Sequence, residues 1–328
     1  MRAFVITEID GALRCDVATV EAVAQQPSDI LVEVHYSGVN YKDALCATLK
    51  SPVRRVAQLV GGVDAAGLVH SSNDPAFPVG TRVAVHGGDL GVARDGGFAQ
   101  FVYAPRHFLS TLPLAISTRD AMVIGTAGFT AMASVLALES HGLDDDGDVV
   151  VTGATGGVGS MAIAFLAARG HSPVASTGSP LESAWLLERG ARRVIGRDEI
   201  SDRPDRVLAS ERWAGAVDCI GGDTLHQILR SLRYGGAVAA SGLVASAQLA
   251  TTVYPFITRA VSLLGIDAVS ASHVTRQRVW AALGDVAAAT DFNALVDREV
   301  DLEHVELALA SIRDGSARGR ILVNPAPR

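Results

Sequence analysis

The stretch that decides the fold is Val149-Val-Val-Thr-Gly153-Ala-Thr-Gly156-Gly157-Val-Gly159, followed by the small-residue run Ser160 to Arg169. Three valines in a row read as a buried strand, and the run after the glycines reads as a helix ending at Gly170. Gly153, Gly156 and Gly159 have G-x-x-G-x-x-G spacing, with Gly157 as a fourth glycine. Thr155 holds the second glycine position of a strict G-x-G-x-x-G pattern. The physical demand is the same in both spacings. Glycine permits a tight strand-to-helix turn, brings backbone N–H groups up to a pyrophosphate, and lets helix and strand pack closely.

Downstream the rhythm repeats. Pro173–Thr177 is a second strand and Leu181–Arg189 a helix ending at Gly190. Val194-Ile195, Ala216–Ile220 and Ala237–Ser241 are the third to fifth strands. Alternating strands and helices mean a parallel sheet with helices on both faces, the context that makes the glycine turn a dinucleotide site. Gly153, Ala154, Gly156, Gly157, Val158 and Gly159 are then cofactor-binding candidates. An acid at the end of the second strand would bind the ribose 2′-hydroxyl of NAD. Here that place reads Ser176-Thr177-Gly178-Ser179, with no acid before Glu182. Small hydroxyls leave room for a 2′-phosphate, and Arg197 after the third strand brings positive charge, so NADPH is the expected cofactor.

Upstream the chain is β-rich. Ile30–Tyr36, Thr81–His86 and Phe98–Ala104 alternate apolar and polar residues, the period of half-buried strands. They suggest a small barrel-like domain with long glycine-punctuated loops. Residues 118–140 have helical spacing, interrupted at Gly125-Thr126-Ala127-Gly128. A long helix, Thr275–Ala289, and a last strand, Arg320–Asn324, close the chain.

Composition sets outer bounds. The 328 residues suggest two domains. A net charge of −7 argues against a nucleic-acid partner. Lys42 and Lys50 are the only lysines among 28 basic residues. The longest helix-like apolar run, Met161–Ala168, is too short to span a bilayer, and Arg2, Glu8 and Asp10 close together argue against a signal peptide. Cys15, Cys46 and Cys219 are far apart and form no CxxC pair. The expectation is a reduced, cytoplasmic, metal-free protein without a membrane partner. The run Asp144-Asp145-Asp146 reads as a solvated turn without chemistry.

Val39-Asn40-Tyr41-Lys42-Asp43-Ala44-Leu45 resembles the signature of the zinc-independent quinone oxidoreductases of the medium-chain dehydrogenase/reductase superfamily, and more narrowly their acryloyl-CoA reductase branch. Ile124–Met132, the glycine turn, Trp213–Asp218, Tyr234–Gly236, Thr251–Arg259 and Gly265–Asp267 match in the same order. The resemblance runs nearly the whole length, to Gly319-Arg320. Zinc alcohol dehydrogenases of the same superfamily carry a cysteine where Asn40 stands and Gly-His-Glu where Gly62-Val63-Asp64 stands. A catalytic zinc needs about three His, Cys or carboxylate ligands, so none is expected.

The resemblance implies an α/β protein: a GroES-like β-barrel catalytic domain (1–120, with 271–328 returning to it) and a Rossmann doubly wound parallel-sheet domain (121–270), with a cleft between them. It implies NADPH-dependent reduction of the C=C bond of a short enoyl-CoA. Hydride goes to Cβ, charge collects on the thioester oxygen, and Cα is then protonated. Reduction of quinones or α,β-unsaturated ketones by the same hydride chemistry is the alternative. A catalytically silent NADPH-binding protein would lack the Asn40-Tyr41-Asp43 cluster, which is present. Basic residues such as Arg55 or Arg259 would favour the CoA substrate. Dimers are common in the family, so a homodimer is the assembly suggested.

The candidate catalytic residues are Asn40, Tyr41, Asp43, Thr126 and Arg259. Tyr41 would bond the nicotinamide ribose or the substrate carbonyl. Thr126 and Thr130 would donate to the nicotinamide amide or back-bond within a helix. Arg259 would form a buried ion pair or contact the CoA phosphates. Gly242 and Leu243, after the fifth strand, with Ile257 and Ala268, would border the nicotinamide. Arg320 would meet the pyrophosphate. Three departures from the family pattern stand out: no Trp and Glu in Gly88–Gly97, Gly61-Gly62-Val63-Asp64-Ala65 for Pro-Gly-Ile-Asp-Phe, and Ser179 for a basic residue.

Overall fold

The computed structural model describes residues 1–144, 146–200 and 206–326. Asp145 of the acidic run lies outside them. The chain forms two units. One comprises Met1–Ala127, Ala268–Ala287 and Asp291–Arg328, the other Gly128–Asp267 and Ala288–Thr290. The expected divisions were at 120 and 270.

The second unit holds a six-stranded, all-parallel sheet. Its order from edge to edge is Arg193–Ile195, Ser172–Ser176, Asp148–Thr152, Trp213–Asp218, Leu232–Ala240 and Ser262–Gly265. In chain order that is 3-2-1-4-5-6, the doubly wound Rossmann arrangement. Valines and alanines fill its central strands because both faces are covered, so no polar alternation survives. Val150, Val174, Ala216 and Val238 pack with Trp213, Leu225, Ile228, Leu229 and Leu232 in one buried core. The sixth strand was not anticipated: Ser262–Gly265 is short and half exposed, so its periodicity is weak.

The first unit is mostly antiparallel. A hairpin, Arg2–Ile9 with Ala12–Thr19, pairs with Gln58–Val60. A larger sheet runs Val296–Val300, Arg320–Val323, Ile30–Gly38, Asp64–Ser71, Arg82–His86, Leu109–Thr111, with Phe101–Ala104 added along Ile30–Gly38. The hairpin, Asp64–Ser71 and the helix Val305–Arg313 had no counterpart in the sequence reading. Asp64–Gly67 and Val69 of this strand are buried, a run that erases the alternation that reveals a strand.

The segment 118–141 is helical but broken at Gly125, where φ is 47° and ψ −157°. The sequence reading took Met161–Ala168 as the longest apolar helical run. Thr118–His141 is in fact long and apolar enough to cross a membrane by length and composition, and 83% of its most apolar 18-residue window is buried. That burial is the environment of a core helix.

Candidate active-site residues and nucleotide cradle

In the first unit the loop after strand Ile30–Gly38 leads into a short helix, Tyr41–Cys46. Asp43 fixes its start. One carboxylate oxygen accepts the N–H of Asn40 at 2.8 Å, the other that of Val63 at 2.8 Å. Asp43 is buried, and burial together with the neighbouring Asp64 carboxylate pushes its pKa up to about 7.

Asp64 is the hub of this region. Its carboxylate accepts the Asn40 side-chain amide at 2.8 Å, the Thr126 N–H at 2.8 Å, and the Thr126 hydroxyl. The Arg320 guanidinium lies 3.6 Å away. Arg320 also donates to Val123 O at 2.9 Å, Val39 O at 3.0 Å and Asn40 Oδ1 at 3.1 Å. Two glycines make this packing possible. A Cβ on Gly125 would sit 2.5 Å from the Asp64 carboxylate and 2.7 Å from Arg320, and one on Gly38 2.7 Å from Arg320. The glycine that interrupts the helical pattern is therefore there to admit a buried ion pair.

These contacts revise three expectations. Arg320 is a buried strut tying the last strand to the Asn40 loop and the Gly125 break, with its donors engaged inside the unit, where a pyrophosphate contact was expected. Thr126 gives its hydroxyl to Asp64, where a bond to the nicotinamide amide or a back-bond within its helix was expected. Asn40 and Asp43 hold the loop and cap the helix, so they are positioning residues. Asp64, which sequence reasoning passed over, is the centre of the network. Its signal was present in Gly62-Val63-Asp64, where the zinc enzymes carry a ligand. Tyr41, by contrast, is 46% exposed and presents its ring at the helix start. Ala268 is buried in the same unit.

In the second unit the glycine turn makes an anion cradle. Gly153 has φ 60°. A Cβ on Gly159 would meet Gly153 O at 2.3 Å, so only glycine lets the helix Gly157–Ala168 start against the strand. No side chain caps that helix. Its first N–H groups and the positive end of its dipole suit a phosphate. Ala154 is buried, while Gly156 is exposed at the turn, with Gly157 and Val158 half-buried beside it.

The ends of the second and third strands meet beside it. The Thr177 N–H donates to Ile195 O at 3.1 Å, and the Thr177 hydroxyl accepts the Ser179 N–H at 3.0 Å. The Arg197 guanidinium lies over Gly178, where a Cβ would be 2.5 Å from it. Three consecutive residues and Arg197 thus form one cationic and hydroxyl-bearing corner, buried at Thr177 and exposed at Gly178, Ser179 and Arg197, and the residues present fit an adenosine 2′-phosphate. The central strands are locked by Asp218, which accepts the Thr152 hydroxyl at 2.7 Å and the Gly221 N–H at 2.8 Å. Burial raises its pKa.

Of the two roles expected for Arg259, an ion pair or a contact to CoA phosphates, the structure shows the ion pair. Its guanidinium donates to Arg230 O at 2.9 Å and Ala209 O at 2.7 Å and lies 3.5 Å from Glu211. These bonds staple the second unit together. Leu243 and Ile257 are exposed, Thr130 is buried in its helix, and Gly242 touches the Cys219 backbone so closely that a Cβ would be 2.0 Å from Cys219 O.

Residues 26–114 match the family described as alcohol dehydrogenase GroES-like domain, and 157–285 the family described as zinc-binding dehydrogenase. Among the described residues, no three His, Cys, Asp or Glu side chains converge as a metal set, and a guanidinium compensates Asp64. The chain is 44% identical over 299 residues to the putative quinone oxidoreductase YhfP of Bacillus subtilis, covering 90% of this chain and 91% of that one. It is 41% identical over 297 residues to the acrylyl-CoA reductase AcuI of Ruegeria pomeroyi, covering 90% of each. The crystal structure of B. subtilis yhfP with NAD bound superposes with a TM-score of 0.95 at 41% identity, covering 98% of each chain. The yhdH oxidoreductase of Salmonella enterica in complex with NADP gives 0.93 at 38% identity, covering 99% of this chain and 100% of that one. The chain belongs to the zinc-independent quinone oxidoreductase branch of the medium-chain dehydrogenase/reductases, the branch of YhfP and AcuI.

Proposed function

We propose that this protein is an NADPH-dependent reductase of the C=C bond of a short enoyl-CoA such as acryloyl-CoA. The observation that carries the reading is the collinear likeness to acrylyl-CoA reductase AcuI, which extends through the Asn40–Asp43 loop and the glycine cradle alike. Bound NADPH would supply the hydride for Cβ of the substrate. The cradle from Gly153 to Gly159 would hold its pyrophosphate with backbone N–H groups, and Thr177, Gly178, Ser179 and Arg197 its 2′-phosphate.

The chain's own residues must then order the nicotinamide ribose and support the charge that gathers on the thioester oxygen. Tyr41 is the side chain suited to either task, since its phenolic O–H can donate a hydrogen bond. Asp43 and Asp64 act through Asn40: they fix the loop that delivers Tyr41. The likeness to YhfP favours a second reading, quinone reduction with the same hydride chemistry. NADPH oxidation measured side by side with acryloyl-CoA, crotonyl-CoA and a simple quinone separates the two. Turnover of the quinone alone would select the second.

A further inference from the structure

We propose that a surface depression on the first unit, lined by Lys50, Ser51, Arg54 and Arg55, is an anion subsite for the phosphate groups of the substrate's coenzyme A tail. The proposal rests on the enoyl-CoA reading above. The depression has a volume of about 310 Å³ and is lined by Glu8, Lys50, Ser51, Arg54, Arg55, Val56 and Ala57. It holds one of the chain's two lysines and two adjacent arginines, in a protein of net charge −7.

The three cations are not equivalent. Arg54 is paired with Glu8 and donates to Cys46 O. The Glu8 carboxylate also accepts the Lys50 N–H at 3.2 Å. The one acid in the depression is thereby neutralised. Lys50 and Arg55 are exposed, and among the described residues neither has a carboxylate within ion-pair distance. Lys50 sits in the left-handed region at φ 51°, an uncommon conformation for a residue with a long side chain. Its N–H bond to Glu8 holds it there. The Ser51 hydroxyl accepts the N–H groups of Val53 and Arg54 at 3.1 and 3.0 Å, leaving its hydrogen to donate outward. Two free cations and a hydroxyl around one hollow suit a phosphate or pyrophosphate.

The position suits the tail as well. Lys50 follows the helix Tyr41–Cys46 by four residues. From helical rise and extended-chain limits, it lies no more than about 25 Å from Tyr41. The arm from thioester sulfur to first phosphate has as many bonds as four or five extended residues, ~15 Å, and the nucleotide extends it further. A thioester near Tyr41 can therefore set its phosphates at Lys50 and Arg55.

The test compares wild type with the double variant Lys50→Gln/Arg55→Gln at saturating NADPH, using acryloyl-CoA and the phosphate-free acryloyl-N-acetylcysteamine. The expected result is a KM for acryloyl-CoA raised about tenfold, as two exposed charge contacts would give, with kcat nearly unchanged. The kcat/KM for the phosphate-free thioester should not move. Raising salt should weaken acryloyl-CoA binding in wild type and not in the variant. The charge-reversed Arg55→Glu should raise the KM for acryloyl-CoA and not that of the short thioester. Equal effects on both thioesters, or none, would overturn the subsite alone. If wild type reduces neither thioester, the enoyl-CoA reading falls and the subsite with it.

Discussion

The Arg320 guanidinium lies 3.6 Å from the Asp64 carboxylate, and both side chains are buried. One comes from the last strand and the other from the start of Asp64–Ser71. Asn40 bridges them, its side-chain amide donating to Asp64 and its Oδ1 accepting from Arg320. Removing one partner of such a pair strands a buried charge, at a cost of about 3–5 kcal/mol. Arg320→Ala is therefore expected to lower the unfolding free energy of the first unit by that much, whereas Arg259→Ala should act on the second unit. Equilibrium unfolding followed by fluorescence and by protease susceptibility of each unit checks this, and a neutral Arg320→Ala would show that the pair contributes nothing.

Asp43 gives the protein a pH dependence of stability. Its pKa is raised from 3.8 to about 7. Between those values the folded state holds a proton that the unfolded state has lost, so stability falls as pH rises from about 4 to about 7, then levels. Asp43→Asn cannot release that proton, so its unfolding free energy should be flatter across the window. Denaturant titrations at several pH values measure both slopes, and parallel slopes would mean that Asp43 is ionised throughout.

Gly159 stands at the closest approach in the cradle, its hypothetical Cβ 2.3 Å from Gly153 O. Gly159→Ala must push the helix off the strand. We expect a stability loss of about 1–3 kcal/mol, the usual range for overpacking, with loss of NADPH binding by fluorescence titration. Gly156→Ala, whose Cβ would be 3.3 Å from the same oxygen, should be milder.

Cofactor choice should follow the corner formed by Thr177, Gly178, Ser179 and Arg197. Arg197→Ala should raise the NADPH KM at least tenfold, the worth of one charge-assisted contact of about 1.5–3 kcal/mol, and leave that for NADH almost unchanged. Thr177→Asp should shift preference toward NADH by adding the acid that the second strand lacks. Equal kcat/KM for the two cofactors in wild type would show that this corner does not select.

Tyr41→Phe distinguishes ordering of the cofactor from stabilisation of the thioester oxygen. If the hydroxyl orders the cofactor, the NADPH KM rises and kcat falls less than about tenfold. If it serves the oxyanion, kcat falls about 10²–10³-fold at saturating NADPH. Steady-state kinetics at saturating cofactor checks this, and we expect the first result.

The first five strands of the parallel-sheet unit are legible in the sequence, while the sixth, Ser262–Gly265, is not. Val149–Gly159 carries its instructions locally: buried valines form a strand, glycines a tight turn, and small residues a close-packed helix. The same locality made Thr177, Gly178, Ser179 and Arg197 legible, since strand ends in this topology gather at one rim. Tertiary structure alone decided the roles of Arg320, Arg259, Thr126 and Asp64. Their partners lie far away in the chain, 256 residues in the case of Asp64 and Arg320. A charged side chain reads the same in sequence whether it meets a ligand or a buried carboxylate. Which it meets depends on the packing that encloses it, because burial makes an internal partner obligatory. Gly125 shows both sides: its place in the helical pattern marked an interruption, and only the fold revealed the ion pair that the missing Cβ admits.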